Sequence, residues 1–127
     1  MILVTGGAGY IGSHMCVALA QANEPCLVLD NFSNSRPSVL ERIGRITGRA
    51  PDHVQGDIGD ASLLDQLFAR HKITAVIHFA ALKAVGESVR EPLRYYENNV
   101  AGTVTLLQAM QRAGVRQLVF SSSATVY

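Results

Sequence analysis

Five short strand-forming runs, each separated from the next by a stretch long enough for a helix, constrain this chain more than any other feature. The runs are Ile2 to Val4, Cys26 to Leu29, His53 to Gln55, Ala75 to His78 and Gln117 to Phe120. Short, largely apolar strands alternating with helices indicate a parallel sheet covered on both faces and joined by right-handed crossovers. Helical periodicity fills the gaps over Ile11 to Gln21, Arg36 to Arg45 and Ala61 to His71. Pro37 suits the first turn of the second helix, and Asp60 is placed to cap the third. A fourth helix can open at Pro92, carry Leu93, Tyr96, Val100, Val104, Leu107 and Met110 at helical spacing, and close at Gly114. The expected class is therefore α/β: a doubly wound parallel sheet of at least five strands. A chain of 127 residues fits one domain. With no linker or internal repeat in it, and with its end just after strand five, residues 1–127 are expected to form a single domain that is incomplete.

Composition narrows the function classes. Charged residues make up 17% of the chain, hydrophobic residues 48%, and the net charge is +1. Neither the basic excess of a nucleic-acid binder nor the polar bias of a disordered chain is present. Cys16 and Cys26 lie on separate expected elements without CxxC spacing, which points to two reduced, buried thiols rather than a disulfide framework or a zinc site, and no metal is expected. The initial Met-Ile-Leu-Val run is too short for a signal segment, and no later stretch approaches the length of a membrane span. A cytoplasmic protein that meets neither membrane nor nucleic acid is expected.

The stretch VTGGAGYIGSH, Val4 to His14, places Gly6, Gly9 and Gly12 where the first strand gives way to its helix. A diphosphate held at a helix N-terminus must approach bare backbone amides at the positive end of the helix dipole, and side chains would block it. Gly6 would then allow the tight turn, Gly9 the approach of the diphosphate, and Gly12 the close packing of the helix on strand one. Turns use glycine too, so context matters. Strand two leads into Asp30, 18 positions beyond Gly12, close to the offset of about 20 residues expected for a carboxylate that grips the adenosine ribose hydroxyls. That carboxylate would repel a 2′-phosphate, which favours NAD over NADP; the competing role for Asp30 is to begin a turn with Asn31. Asp57, in GDIGD after strand three, points to the same sheet edge and can accept a hydrogen bond from an adenine amino group, or serve its own loop. HFAAL, His78 to Leu82, offers small alanines where backbone would pass a flat ligand, and His78 itself reads as a satisfied core residue.

TGGAGYIGSH, LDNFSNS, GDIGD, VIHFAALKAVGESV, YYENNVAGT and VFSSSATVY together resemble the extended short-chain dehydrogenase/reductase superfamily, and within it the nucleotide-sugar 4-epimerases, over essentially the whole chain. The glycine motif is common to the superfamily, whereas KAVGESV and SSSATVY are more specific to the epimerases. The resemblance implies a Rossmann-type NAD-binding fold, with NAD contacts at Tyr10 and Ile11; at Asp30, Asn31, Phe32, Ser33, Asn34 and Ser35; at Asp57 and Ile58; at Phe79, Ala80, Ala81, Leu82 and Lys83; and at Asn98. It implies that Ser123 touches the sugar and assists proton movement, and Lys83 is a second candidate beside the substrate. Lys83 can otherwise be a solvated loop cation, and Asn98 a helix-surface amide.

The implied chemistry is transient oxidation of a UDP-hexose. A tyrosinate takes the proton of the 4-hydroxyl while C4 gives its hydride to NAD, and the hydride returns to the other face of the keto sugar, so that UDP-glucose and UDP-galactose interconvert. The family's tyrosine has a lysine four positions on, since a phenol of pKa about 10 needs a nearby cation to ionise at neutral pH. Here Tyr10 is followed at that spacing by His14, Tyr95 by Asn99 and Tyr96 by Val100, while Tyr127 is the last residue. The sugar-nucleotide lobe is also missing, so the 127 residues alone are expected to bind NAD at most. A 4,6-dehydratase would need an Asp-Glu pair where Ala124 and Thr125 stand; other nucleotide-sugar epimerases and a non-enzymatic NAD-binding module are the remaining alternatives. The apolar breadth of the helix over residues 93–111 fits either a deeply buried helix or, as the resemblance implies, a homodimer of paired helices.

Overall fold

The computed structural model describes residues 1–8, 10–32, 38–79, 93 and 100–120. Its elements are β1 (Ile2–Thr5), α1 (Tyr10–Gln21), β2 (Cys26–Asp30), α2 (Ser38–Thr47), β3 (Asp52–Gln55), α3 (Ala61–Arg70), β4 (Ala75–His78), α4 (Gly102–Ala113) and β5 (Gln117–Phe120). All strand pairs are parallel, in the order β3-β2-β1-β4-β5. Every expected strand forms, and three gain one polar residue: Thr5 on β1, Asp30 on β2 and Asp52 on β3.

Strand pleating sorts the core into two layers, because successive side chains point to opposite faces. Leu3, Leu27, Leu29 and Val76 face Leu64 and Leu67 of α3 and Leu106, Ala109 and Met110 of α4. On the other face, Val4 and Val28 meet Cys16 of α1 and Leu40 and Ile43 of α2. The central strands β1, β2 and β4 are thus buried on both sides, as their apolar runs require.

The two outer strands depart from that expectation. Asp52, His53 and Gln55 on β3 are exposed, as are Gln117, Val119 and Phe120 on β5. Among the described residues, each outer strand has one neighbour and the helices centre on the three inner strands, so cover on both faces ends there.

Helix ends follow local chemistry. The Asp60 carboxylate accepts the Leu63 N–H at 3.1 Å and caps α3 as expected. Gly114, at φ 75°, closes α4 in the left-handed conformation that glycine adopts without steric cost. α2 runs two residues past the expected Arg45, because Thr47 Oγ1 donates to the Ile43 carbonyl at 2.8 Å and the chain turns away only at Gly48, φ 88°. Its expected start, Arg36 and Pro37, lies outside the described residues, as do Pro92 and Tyr96 of the fourth helix; Leu93 is helical. α3 ends at Arg70, where His71 becomes its extended cap.

Candidate functional site

From β1 the chain steps outward through β2 to β3, then returns to place β4 on the other side of β1. α1, which follows β1, and α4, which precedes β5, cover opposite faces of the sheet, so the carboxyl ends of β1 and β4 form the switch point where doubly wound sheets take ligands. Thr5, Asp30, Gln55, His78 and Phe120 end the strands along this edge.

The turn after β1 is built for main-chain proximity. Gly6 has φ 73°, and its N–H donates to the Leu29 carbonyl at 2.8 Å, extending the β1–β2 ladder by one bond. A Cβ on Gly12 would lie 2.2 Å from the Gly6 carbonyl oxygen. The expected close packing at Gly12 is therefore present, and what it packs on is the main chain of the turn itself. Gly7 was not singled out by the sequence, yet a Cβ there would sit 2.8 Å from both Val28 methyl groups. No acidic side chain occupies the first turn of α1, so the helix supplies no carboxylate of its own to compete for the positive end of its dipole. The turn and helix fit a diphosphate on these grounds.

Asp30 joins this turn to the next loop. Asp30 is 8% exposed; Oδ2 accepts the Ala8 N–H at 3.1 Å and Oδ1 the Phe32 N–H at 2.8 Å. The turn role read from the sequence is present in the bond to Phe32, and the other oxygen ties Asp30 to the glycine turn. Phe32 holds φ 57°, a costly conformation for a side chain of that size, with the Asp30 bond to its amide and an edge-on ring contact to His53 at 6.4 Å. Asn31 is exposed beside it.

Asp57 serves its own loop: Oδ1 accepts the Gly59 N–H and its carbonyl the Asp60 N–H, both at 3.1 Å. Its carboxylate remains exposed at the sheet edge, whereas the Ile58 side chain is buried in the core beneath α3 and α4. Tyr10 opens α1, and Ile11 follows with its side chain 52% exposed.

One constellation escaped sequence reasoning. Thr5 Oγ1 lies 2.6 Å from His78 Nδ1 and accepts the Phe79 N–H at 3.2 Å, while His78 Nε2 lies 3.1 Å from Thr103 Oγ1. The Phe79 N–H also reaches the Thr5 carbonyl at 2.8 Å. His78 is the satisfied core residue expected, and its ring fastens β1, β4 and α4 together at the switch point. Thr5 and Thr103 carry no signal of this until the register pairs Thr5 with His78.

Of the remaining expected positions, Gly9, Ser33, Asn34, Ser35, Ala80, Ala81, Leu82, Lys83, Asn98 and Ser123 lie outside the described residues. Among the described residues, no three His, Cys, Asp or Glu side chains gather as metal ligands, and no helix is long and apolar enough to cross a membrane.

Comparison with known proteins identifies the relatives of this arrangement. The profile of the NAD dependent epimerase/dehydratase family matches residues 2–127. A UDP-glucose 4-epimerase of Yersinia pestis is 61% identical over 126 residues, which are 99% of this chain and 37% of that protein. Among solved structures, the UDP-glucose-4-epimerase of Stenotrophomonas maltophila, with bound NAD and formylated UDP-arabinopyranose, superposes with a TM-score of 0.96 at 59% identity, over 99% of this chain and 38% of its own. The Bifidobacterium longum UDP-glucose 4-epimerase, in complex with NAD+ and UDP, gives 0.95 at 47% identity over the same 99% of this chain and 38% of its own. The chain thus spans little more than a third of the length of the relatives it matches.

Proposed function

The chain belongs to the NAD dependent epimerase/dehydratase family, and from that membership we propose that it forms the NAD-binding part of an enzyme that interconverts UDP-glucose and UDP-galactose. One observation carries the reading: a turn with no room for side chains and a buried carboxylate meet at the switch point of the sheet.

In this reading the amides at the start of α1, with Gly9 between them and Gly6, take the diphosphate, and Asp30, Asn31, Phe32, Ser33, Asn34 and Ser35 surround the adenosine ribose. Asp57 and Ile58 meet the adenine, Ile58 through its main chain since its side chain is in the core. Phe79 through Lys83 and Asn98 line the nicotinamide half. Bound there, NAD would supply a reversible hydride acceptor. Ser123 holds the 4-hydroxyl and passes its proton, and Lys83 lies close to both cofactor and sugar. No tyrosine among these 127 residues has a lysine four positions on, so the proton acceptor and the sugar-nucleotide lobe are placed outside them, and residues 1–127 are the incomplete cofactor domain.

A homodimer through the helix over residues 93–111 and a cytoplasmic location complete the proposal. Val100, Val104 and Leu107 are 48%, 46% and 43% exposed, an apolar stripe with a second helix as its natural cover. Both cysteines are unpaired, which fits a reducing compartment.

Mass spectrometry of material released by denaturing the purified protein tests the cofactor assignment, and turnover of UDP-galactose tests the reaction. Released NAD is expected, with turnover by a chain of its relatives' length and none by residues 1–127 alone. Absence of any affinity for NAD in well-folded protein would overturn the reading, and epimerisation by the 127 residues would overturn the placement of the base. Sedimentation as a monomer at micromolar concentration would overturn the dimer.

A further inference from the structure

Cys16 and Cys26, whose spacing offers no reason to pair them, lie on one face of the sheet. Cys26 begins β2 on the pleat it shares with Val28, the face that α1 and α2 cover, and Cys16 comes down on that face from the middle of α1. Both line one cavity of about 490 Å³, with Asn23, Ile43, Arg49 and Asp52 around them. Cys16 is 1% exposed and Cys26 partly exposed. The cavity therefore borders one enclosed cysteine, Cys16, and one that solvent partly reaches, Cys26. Its volume is that of a small-molecule site.

We propose that Cys16 and Cys26 form a thiol–disulfide exchange site, in which Cys26 reacts with a soluble low-molecular-weight disulfide entering the cavity and Cys16 resolves the adduct. The Cys26 thiolate attacks one sulfur of the incoming disulfide, whose S–S bond breaks and releases a thiolate that takes a proton from water. Cys16 then gives up its proton to water and attacks the Cys26 sulfur of the mixed disulfide. A Cys16–Cys26 bond forms and the second thiolate leaves. Two cysteine thiols are oxidised, and one small disulfide is reduced to two thiols.

The two environments suit the two roles. A hydrogen bond from Cys16 holds Cys26 below the ordinary thiol range, against the opposing effects of burial and of Asp52. That same bond, together with burial, pushes Cys16 well up. Cys16 has the Gly7 carbonyl 3.8 Å from its sulfur, a second place for its proton. Thiolate character marks the attacking sulfur, and the enclosed thiol acts once the mixed disulfide has brought its target alongside.

The test uses purified protein incubated with oxidised glutathione and then alkylated without reductant. Trypsin leaves both cysteines in the peptide of residues 1–42, since Arg36, the one lysine or arginine before Arg42, precedes proline. That peptide is expected to lose two hydrogens, to escape alkylation, and to take two alkyl groups after reduction. Cys16→Ser should instead hold one glutathione on Cys26, and Cys26→Ser should take none. The proposal is overturned if the wild-type peptide takes two alkyl groups, if it retains a glutathione without closing the ring, or if Cys16 is labelled in Cys26→Ser. The wild-type measurement requires no variant to fold.

Discussion

Replacing Gly12 with alanine perturbs the candidate site through one methyl group. The added carbon would stand 2.2 Å from the Gly6 carbonyl oxygen and 2.9 Å from both Gly6 C and Gly7 Cα. All three are main-chain atoms, so no side chain can rotate away. Restoring a 3.0 Å contact requires α1 or the turn to move by 0.8 Å. Overpacking of this kind costs up to about 3 kcal/mol, and alanine returns about 1 kcal/mol of helix propensity, leaving roughly 2 kcal/mol of destabilisation. For a domain of this size that is a fall in Tm of roughly 8 °C. The amides proposed to hold the diphosphate shift with the turn, and losing one charge-assisted bond of at least about 1.5 kcal/mol weakens NAD binding by at least about tenfold. Thermal unfolding and calorimetric titration with NAD read the two effects. Gly114→Ala is the control: at φ 75° with nothing within 4 Å of the added carbon, it should cost about 1 kcal/mol of stability and leave NAD affinity unchanged. A Gly12→Ala protein within about 2 °C of the parent Tm and within about twofold of its NAD affinity would refute the reasoning.

Three further outcomes are expected. Asp30→Asn keeps one acceptor oxygen for two amides, those of Ala8 and Phe32, so urea unfolding should show a loss of about 1–3 kcal/mol, and the preference for NAD over NADP should narrow in competition titrations. Asp60→Ala removes the cap of α3 and should cost about 1 kcal/mol in the same assay while leaving NAD affinity unchanged. Thr5→Val removes the hydroxyl facing His78 Nδ1 and should cost about 1–3 kcal/mol, with Thr5→Ser recovering most of it.

The architecture was legible because its signals are local and repeated. Apolar runs at Leu27 to Leu29 and Val76 to Ile77 read as buried parallel strands whatever their neighbours, and Asp60 and Gly114 mark helix ends by their own chemistry. Strand order left no such mark: which run lies beside which is decided by side-chain burial across the sheet. For that reason the Thr5–His78–Thr103 contact and the Cys16–Cys26 meeting stayed hidden. Each joins residues far apart in sequence or on different elements, and each becomes visible only when the register and the pleat are known. Gly7 stayed hidden for the same reason, since the methyl groups that exclude a side chain from it belong to β2.

Two of the residues by which strands outran their apolar runs, Thr5 and Asp30, are polar, buried and at the carboxyl edge. Burying a polar group is costly unless it is hydrogen-bonded, so a polar residue can end a buried strand only if a partner comes to meet it, side chains at His78 and neighbouring backbone at Thr5 and Asp30. Asp30 draws in the amides of Ala8 and Phe32; Thr5 draws in that of Phe79. Each therefore fixes the first residues of a loop that leaves the sheet beside the switch point. Where a loop's first residues are fixed in this way, the proposed binding of NAD has fewer residues to order, which lowers its entropic cost. The departure from apolar patterning at these two strand ends and the readiness of the site are thus one property of the chain, and substitutions at Thr5 or Asp30 should lower stability and NAD affinity together, whereas those at Asp60 or Gly114 should lower stability alone.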